Sequence, residues 1–239
     1  MNLQQLYSKV RQAIDDYQMI QSGDKIAIGL SGGKDSLALL YALQGLQKFY
    51  PVPFSVIAVT VDLGFPEQNY DPLIALCKEL DIPYYIVPTQ IADIVFNFRK
   101  EPHPCALCSK MRKGALNEKI LELGCNKLAY AHHKDDVVDT MMLSLIYEGR
   151  WNTFSPVTYL DRTGLTLIRP LIYMKEADIK GFVNAYKLPV QASCCPADKN
   201  SKRETVKQLL HVIDKEAPGV KNRMFTAITE SGMNDWMKG

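Results

Sequence analysis

The chain has 239 residues, of which 47% are hydrophobic and 23% are charged, and its formal net charge is +2. This length suits one α/β domain, and this composition excludes disordered and collagen-like chains. No apolar run is long enough to span a bilayer and the N-terminus lacks the apolar segment of a signal peptide, so we predict a cytoplasmic protein that does not associate with membranes. The small charge neither indicates nor excludes nucleic-acid binding.

The hydrophobic pattern predicts helices that alternate with strands along most of the chain. Strands are predicted over 24–30, 54–62, 83–88, 126–133 and 165–171. Helices are predicted over 1–20, 35–49, 71–81, 89–100, 109–124, 135–147 and 175–187, with two more in the tail 200–239. This alternation favours an α/β fold with a doubly wound parallel sheet. We expect a single domain, 1–239, with its core at about 25–187.

Three polar stretches follow predicted strands, where ligands bind in parallel α/β sheets. They are SGGKDS (31–36) after the first strand, Asp62 after the second, and HHKDD (132–136) after the fourth. The pair Cys105-x-x-Cys108 is predicted in a loop that overhangs the same edge. We therefore expect one site that combines these stretches.

The first stretch resembles a nucleotide-binding loop but departs from the Walker A pattern. Only three residues separate Gly29 from Gly33-Lys34, and Asp35 stands where Walker A has Ser or Thr. Glycines still expose backbone N–H groups, and the following helix directs its positive end at the loop. An anion site is favoured over a glycine-rich turn without a ligand. Its residues are Ser31, Gly32, Gly33, Lys34, Asp35 and Ser36.

The stretch HHKDD permits three interpretations. Asp135 or Asp136 could simply cap the helix that follows. His132, His133 and Asp136 could bind a metal ion. The interpretation we favour makes the stretch part of the ATP site, with Asp62, His132 and Asp135 beside the loop and Asp135 holding Mg²⁺ or positioning the reacting groups.

Six cysteines in a chain without secretory features favour metal or redox roles over disulfides. Cys77 and Cys125 lie within apolar patterns and are predicted to be core thiols. Cys105, Cys108 and one of Cys194 and Cys195 provide three soft ligands, which suit an iron–sulfur cluster with one iron left open. A zinc site and a pair of catalytic thiols remain alternatives, and the Cys-Pro pair favours Cys195 as the third ligand.

Two resemblances extend these interpretations. Ser31 to Ser36 match the Ser-Gly-Gly-x-Asp-Ser loop of the PP-loop ATP pyrophosphatases. The order of the motifs along the chain resembles that of the tRNA 2-thiocytidine synthetases. The motifs are this loop, VDLGFPE (61–67), the Cys105–Leu116 segment, HHKDD, IRPL (168–171) and a late cysteine before a basic helix. The adjacent cysteines 194 and 195 replace the Pro-Cys-x-x-Cys of that family, so the third ligand stays open.

The second resemblance implies a fold, a reaction and a set of cofactors. It implies ATP and Mg²⁺, a 4Fe-4S cluster on three cysteines, and a sulfur donor that is either a persulfide carrier or sulfide. The reaction would replace the C2 oxygen of a cytidine in the tRNA anticodon loop with sulfur, after attack on the α-phosphorus of ATP releases pyrophosphate. Lys34 and Asp135 would serve catalysis, and Arg112 would face the cluster. A homodimer is compatible with this interpretation.

The basic residues that could bind RNA lie in three short groups. They are Lys110, Arg112 and Lys113; Arg150 with Trp151; and Lys199, Lys202, Arg203 and Lys207. The second group is the better candidate because an indole beside a cation can stack on a base. Two other functions stay open: a PP-loop sulfurtransferase acting on a small molecule or another base, and a zinc-stabilised nucleotide-binding module without turnover.

Overall fold

The computed structural model describes residues 1–101, 104–197, 202–233 and 236. Six strands form one sheet in the order β3-β2-β1-β4-β6-β5. The strands are β1 (Lys25–Gly29), β2 (Ser55–Asp62), β3 (Tyr84–Pro88), β4 (Lys127–Ala129), β5 (Val157–Leu160) and β6 (Leu165–Ile168). The helices are α1 (Leu3–Asp16), α2 (Lys34–Leu46), α3 (Asp71–Glu79), α4 (Pro104–Glu122), α5 (Lys134–Glu148), α6 (Glu176–Ala185), α7 (Lys202–Glu216) and α8 (Val220–Glu230), with a π-helical segment at Asp93–Phe98.

The predicted doubly wound parallel sheet is confirmed for five strands. β1 pairs in parallel with β2 and β4, and β3 and β6 extend the sheet on either side. The hydrophobic pattern did not predict β5, which pairs antiparallel with β6 and forms the edge. The strand order reverses between β1 and β4, so the crevice at their carboxyl ends is where this kind of sheet binds ligands.

Alternating side chains of the sheet enter two separate cores. Ile26 and Ile28 of β1 point into the larger core, which α1, α2, α3, α5 and α6 also line. Ala27 points to the other face, where Leu116 and Ile120 of α4 cover the sheet. Successive strand residues face opposite sides, so burial on both faces explains why the strands read as continuous apolar runs.

The C-terminal helices share the larger core with α1 and α5. Leu210 of α7 and Phe225 of α8 are buried there together with Trp236, whose indole N–H donates to the backbone oxygen of Phe154 at 3.1 Å. The two predicted tail helices are thus confirmed. Asn200, where we placed the start of the tail, lies outside the described residues, as does Lys199 of the predicted RNA-binding groups.

The prediction that Cys105 and Cys108 lie in a loop is wrong. α4 begins at Pro104, five residues before the predicted start, so Cys105 and Cys108 lie in its first two turns. Proline is favourable at the start of a helix because its missing N–H has no partner there anyway. Among the described residues, no helix combines the length and apolar character needed to cross a membrane.

Candidate active site

The PP-loop (Ser31–Ser36) joins the end of β1 to the start of α2 and is held by its own serines. The Ser31 amide donates to Ser36 Oγ at 3.2 Å, and Ser36 Oγ donates to the Gly33 backbone oxygen at 2.9 Å. Gly32 has a φ of +78°, a conformation that glycine adopts without steric cost. Gly33 occupies the N-cap position of α2 and has no side chain to cap the helix. The loop can therefore present first-turn N–H groups to an anion.

Lys34 is the centre of a charge network beside the loop. Its ammonium lies 2.9 Å from Asp35 Oδ2 and 2.9 Å from Glu176 Oε1. Burial by itself would lower the pKa of Lys34, but the hydrogen bonds to Asp35 and Glu176 outweigh burial and raise the pKa. Lys34 therefore stays charged.

His133 connects the PP-loop to the start of α5. Its Nδ1 accepts the Asp136 amide at 3.3 Å, which leaves the ring proton on Nε2, and Nε2 lies 3.7 Å from Asp35 Oδ1. That Asp35 oxygen is buried and has no hydrogen-bond partner among the described residues. A buried carboxylate oxygen at a nucleotide site fits a Mg²⁺ ligand, since Mg²⁺ prefers oxygen donors.

The acidic start of α5 is paired with the C-terminal helices. Asp135 accepts the Glu176 amide at 2.8 Å and lies 3.3 Å from the ammonium of Lys221. Asp136 pairs with Arg203 at 3.0 Å. Asp139 is fully buried, and neither of its oxygens has a hydrogen-bond partner among the described residues. Burial raises the pKa of Asp139 to about 6, although Lys221 opposes the shift.

His132 occupies a different environment from His133. Its ring lies 4.8 Å from the Phe154 ring and 5.6 Å from the Tyr130 ring. The guanidinium of the buried Arg169 lies 5.0 Å from the centre of the same Phe154 ring. Burial and then Arg169 lower the pKa of His132 to about 4, so the ring is neutral at physiological pH. The structure thus places His133, rather than the predicted His132, next to the PP-loop.

The segment that carries Cys194 and Cys195 lies directly on the PP-loop. The Gln191 amide donates to the Gly32 backbone oxygen at 2.9 Å, and its side-chain oxygen accepts from Gln68 at 2.8 Å. The Cys194 thiol donates to Gln68 Oε1 at 3.5 Å. Asp62, at the end of β2, accepts the Tyr70 hydroxyl at 3.1 Å on the same side.

Arg112, Cys195 and Cys105 all influence the electrostatics of the Cys108 thiol. Burial raises the pKa of the Cys108 thiol, the Arg112 guanidinium lowers it, and Cys195 and Cys105 raise it further. Of the two adjacent cysteines, Cys195 is the one among these influences, whereas the Cys194 thiol contacts Gln68. The three thiols fit the donor set of an iron–sulfur cluster. Within the described residues, no three His, Cys, Asp or Glu side chains are grouped closely enough to hold a metal ion.

The predicted RNA-binding groups differ in their exposure to solvent and in their contacts with other side chains. Trp151 is 57% exposed and Arg150 beside it is exposed as well. Lys202 lies over the Tyr147 ring at 4.6 Å. Arg203, in contrast, is engaged by Asp136 and by Thr140 at 3.1 Å, which assigns it an internal contact.

Glu176 and Gln191 are site residues that sequence reasoning missed. Each lies more than 140 positions from the PP-loop residue that it contacts. Glu176 lies in the first turn of the helix predicted over 175–187, shortly after the strand-end segment IRPL, and only this position could have indicated its role. No comparable signal marks Gln191.

Fold and site together define an ATP-binding PP-loop protein, in which a glycine-rich loop at the topological switch point faces the acidic motif at the start of α5. The sequence profile of the PP-loop domain matches residues 2–212. Among similar proteins are the tRNA-cytidine(32) 2-sulfurtransferases of Geobacter sulfurreducens, 34% identical over 93% of this chain and 89% of that protein, and of Photorhabdus laumondii, 39% identical over 95% and 76%. The chain therefore belongs to the PP-loop family and, within it, to the group that contains these tRNA sulfurtransferases.

Solved structures agree with this assignment. The U34-tRNA thiolase NcsA from Methanococcus maripaludis, solved with its [4Fe-4S] cluster, has a TM-score of 0.78 and 26% identity, and the match covers 94% of this chain and 76% of that one. The NH3-dependent NAD synthetase from Campylobacter jejuni has a TM-score of 0.51 at 15% identity, with 98% and 96% covered, and shares the fold alone.

Proposed function

We propose that this protein is an ATP-dependent tRNA sulfurtransferase that replaces the C2 oxygen of a cytidine in the anticodon loop with sulfur. The observation that carries the proposal is the contact between the PP-loop and the late-cysteine segment, through the hydrogen bond from Gln191 to Gly32. This contact supports a single site in which nucleotide chemistry and thiol ligands are neighbours. The names of the relatives support tRNA as the substrate.

The first step that we propose is adenylation of the base. The C2 oxygen attacks the α-phosphorus of ATP, an O–P bond forms, and the bond to the leaving pyrophosphate breaks. The loop N–H groups and Lys34 would stabilise the negative charge that develops on the pyrophosphate. Asp35 would bind Mg²⁺ through Oδ1, which has no hydrogen-bond partner among the described residues, and His133 would orient that carboxylate.

The second step replaces the activated oxygen. With sulfide as donor, sulfur forms a bond to C2, the C2–O bond breaks, AMP leaves and the sulfur proton is released. A [4Fe-4S] cluster on Cys105, Cys108 and Cys195 supplies, when bound, an iron without a protein ligand that can hold sulfur. Arg112 would provide positive charge next to the thiols, which favours their thiolate form.

Single-cysteine variants test this proposal. Anaerobically reconstituted protein is given tRNA, ATP, Mg²⁺ and sulfide, and the tRNA nucleosides are then analysed for 2-thiocytidine. We expect AMP and pyrophosphate as the nucleotide products. Cys195→Ser should abolish both iron binding and thiolation, whereas Cys194→Ser should retain them because that thiol contacts Gln68 instead.

Cys77→Ala is a suitable control, since this thiol is buried in the core away from the site. ADP and phosphate as the only nucleotide products would contradict the adenylation step. Stoichiometric zinc without iron would favour the nucleotide-binding module, and thiolation of a free base but not of tRNA would favour a small-molecule acceptor.

A further inference from the structure

Glu176 connects three parts of the site. Its backbone N–H, at the start of α6, donates to Asp135 Oδ2 at 2.8 Å. One side-chain oxygen lies 2.9 Å from the Lys34 ammonium, and the other lies 3.9 Å from the ammonium of Lys207 on α7. One residue thus joins the PP-loop, the acidic motif of α5 and the C-terminal helices.

The contact with Lys34 competes with phosphate binding. The Lys34 ammonium is neutralised by two carboxylates, those of Asp35 and Glu176. An ATP phosphate that binds Lys34 competes with these carboxylates for the positive charge of the ammonium, and it brings negative charge close to Glu176. Lys207 can then keep the Glu176 carboxylate paired while Lys34 turns to the phosphates.

We propose that Glu176 is a positioning residue for ATP, which holds Lys34 at the loop before the nucleotide binds and remains paired with Lys207 when Lys34 moves onto the phosphates. This inference rests on the proposed function only in that ATP occupies the PP-loop. It predicts that Glu176 weakens ground-state binding while improving the geometry of the reacting complex. Binding that is equally strong in the ground state and the transition state does not accelerate the reaction.

Glu176→Gln is the first test, because it removes the charge and keeps the backbone N–H bond to Asp135. The dissociation constant for ATP is measured without tRNA, so thiolation plays no part in this assay. We expect ATP to bind about two- to fivefold more tightly, the range for loss of a partly exposed ion pair. The gain should shrink as ionic strength rises, since salt screens such contacts.

Asp178→Asn is the matched control. Asp178 is an exposed acid in the same first turn of α6, so this variant tests a general loss of negative charge. We expect its ATP affinity to match that of the wild-type chain. In thiolation assays with tRNA, Glu176→Gln should lower kcat by roughly three- to tenfold, since small misplacements of reacting groups are costly. Tighter ATP binding with a lower kcat is a combination that a merely structural role would not produce.

Lys207→Met tests the second half of the inference. In the wild-type background it should weaken ATP binding about threefold, because the Glu176 carboxylate would then lie unpaired beside the phosphates. In the Glu176→Gln background the effect should be at least twofold smaller, since residues in one charge network are not additive. Equal effects in both backgrounds would overturn the role of Lys207.

The outcomes separate this inference from the proposed function. Weaker ATP binding by Glu176→Gln, or affinity and kcat equal to those of Asp178→Asn, overturns the positioning role while leaving sulfur transfer intact. A wild-type chain that binds no ATP overturns both. Tighter ATP binding in Glu176→Gln, in a protein that never thiolates tRNA, supports the role of Glu176 in ATP binding and contradicts the proposed sulfur transfer.

Discussion

Gly32 allows a direct test of the contact between the PP-loop and the late-cysteine segment. A Cβ atom added at Gly32 would lie 2.7 Å from Gln191 Oε1 and 3.2 Å from Gln191 Cβ, at a φ of +78°. The left-handed backbone conformation costs an alanine about 1–2 kcal/mol. Moving the Gln191 side chain would also break its hydrogen bond with Gln68, which contributes about 1 kcal/mol.

Gly32→Ala should therefore lower the free energy of unfolding by about 2–3 kcal/mol. For a chain of this length, that corresponds to a decrease in Tm of roughly 4–12 °C. It should also weaken ATP binding, because the strained residue lies inside the loop that presents N–H groups to the phosphates. Thermal unfolding and an ATP titration measure the two effects.

Gly33→Ala is a matched control within the same loop. Gly33 has a φ of −73°, and its added Cβ would meet Ser31 Oγ at 3.4 Å, so this change should cost less than about 1 kcal/mol. In the double variant Gly32→Ala/Gln191→Ala, the 2.7 Å contact with Oε1 is removed, while the 3.2 Å contact with the Cβ atom of residue 191 and the backbone strain remain. Equal Tm values for Gly32→Ala and Gly33→Ala would refute this reasoning.

Two other changes test the buried carboxylate and the exposed indole. Burial raises the folded-state pKa of Asp139 from 3.8 to about 6, so the folded state binds the proton more tightly than the unfolded state does. The free energy of unfolding should therefore fall as pH rises from about 4 to 6 and stay lower above about pH 6. Asp139→Asn should thus stabilise the protein at pH 7.5 by up to about 3 kcal/mol and have little effect at pH 4, as measured by urea unfolding; a gain independent of pH would contradict the shifted pKa. Trp151→Ala should weaken tRNA binding by roughly 1–3 kcal/mol without changing ATP affinity, whereas Trp151→Phe should retain most of the tRNA affinity. A tRNA affinity that Trp151→Ala leaves unchanged would exclude a stacking role.

Features that depend on neighbouring residues could be predicted from the sequence. The PP-loop is six consecutive residues between an apolar strand and a helix, so both its anion-binding chemistry and its place in the sheet follow from local order. The alternation of strands and helices predicted five of the six strands found in the described residues. β5 escaped prediction because VTYL is short and only partly buried, and its pairing depends on β6 rather than on its own pattern.

The arrangement of side chains in the site depended on contacts between distant parts of the chain. The sequence by itself determined which chemistry is present: a glycine-rich loop, an acidic motif at a strand end, and two groups of cysteines. Only the tertiary structure decided that His133 faces Asp35, that Glu176 holds Lys34, and that the Cys194 thiol contacts Gln68. The physical reason is that hydrophobic periodicity reports which face of each element is buried, whereas partners across the crevice are set by how α4, α6 and α7 pack around the end of the sheet.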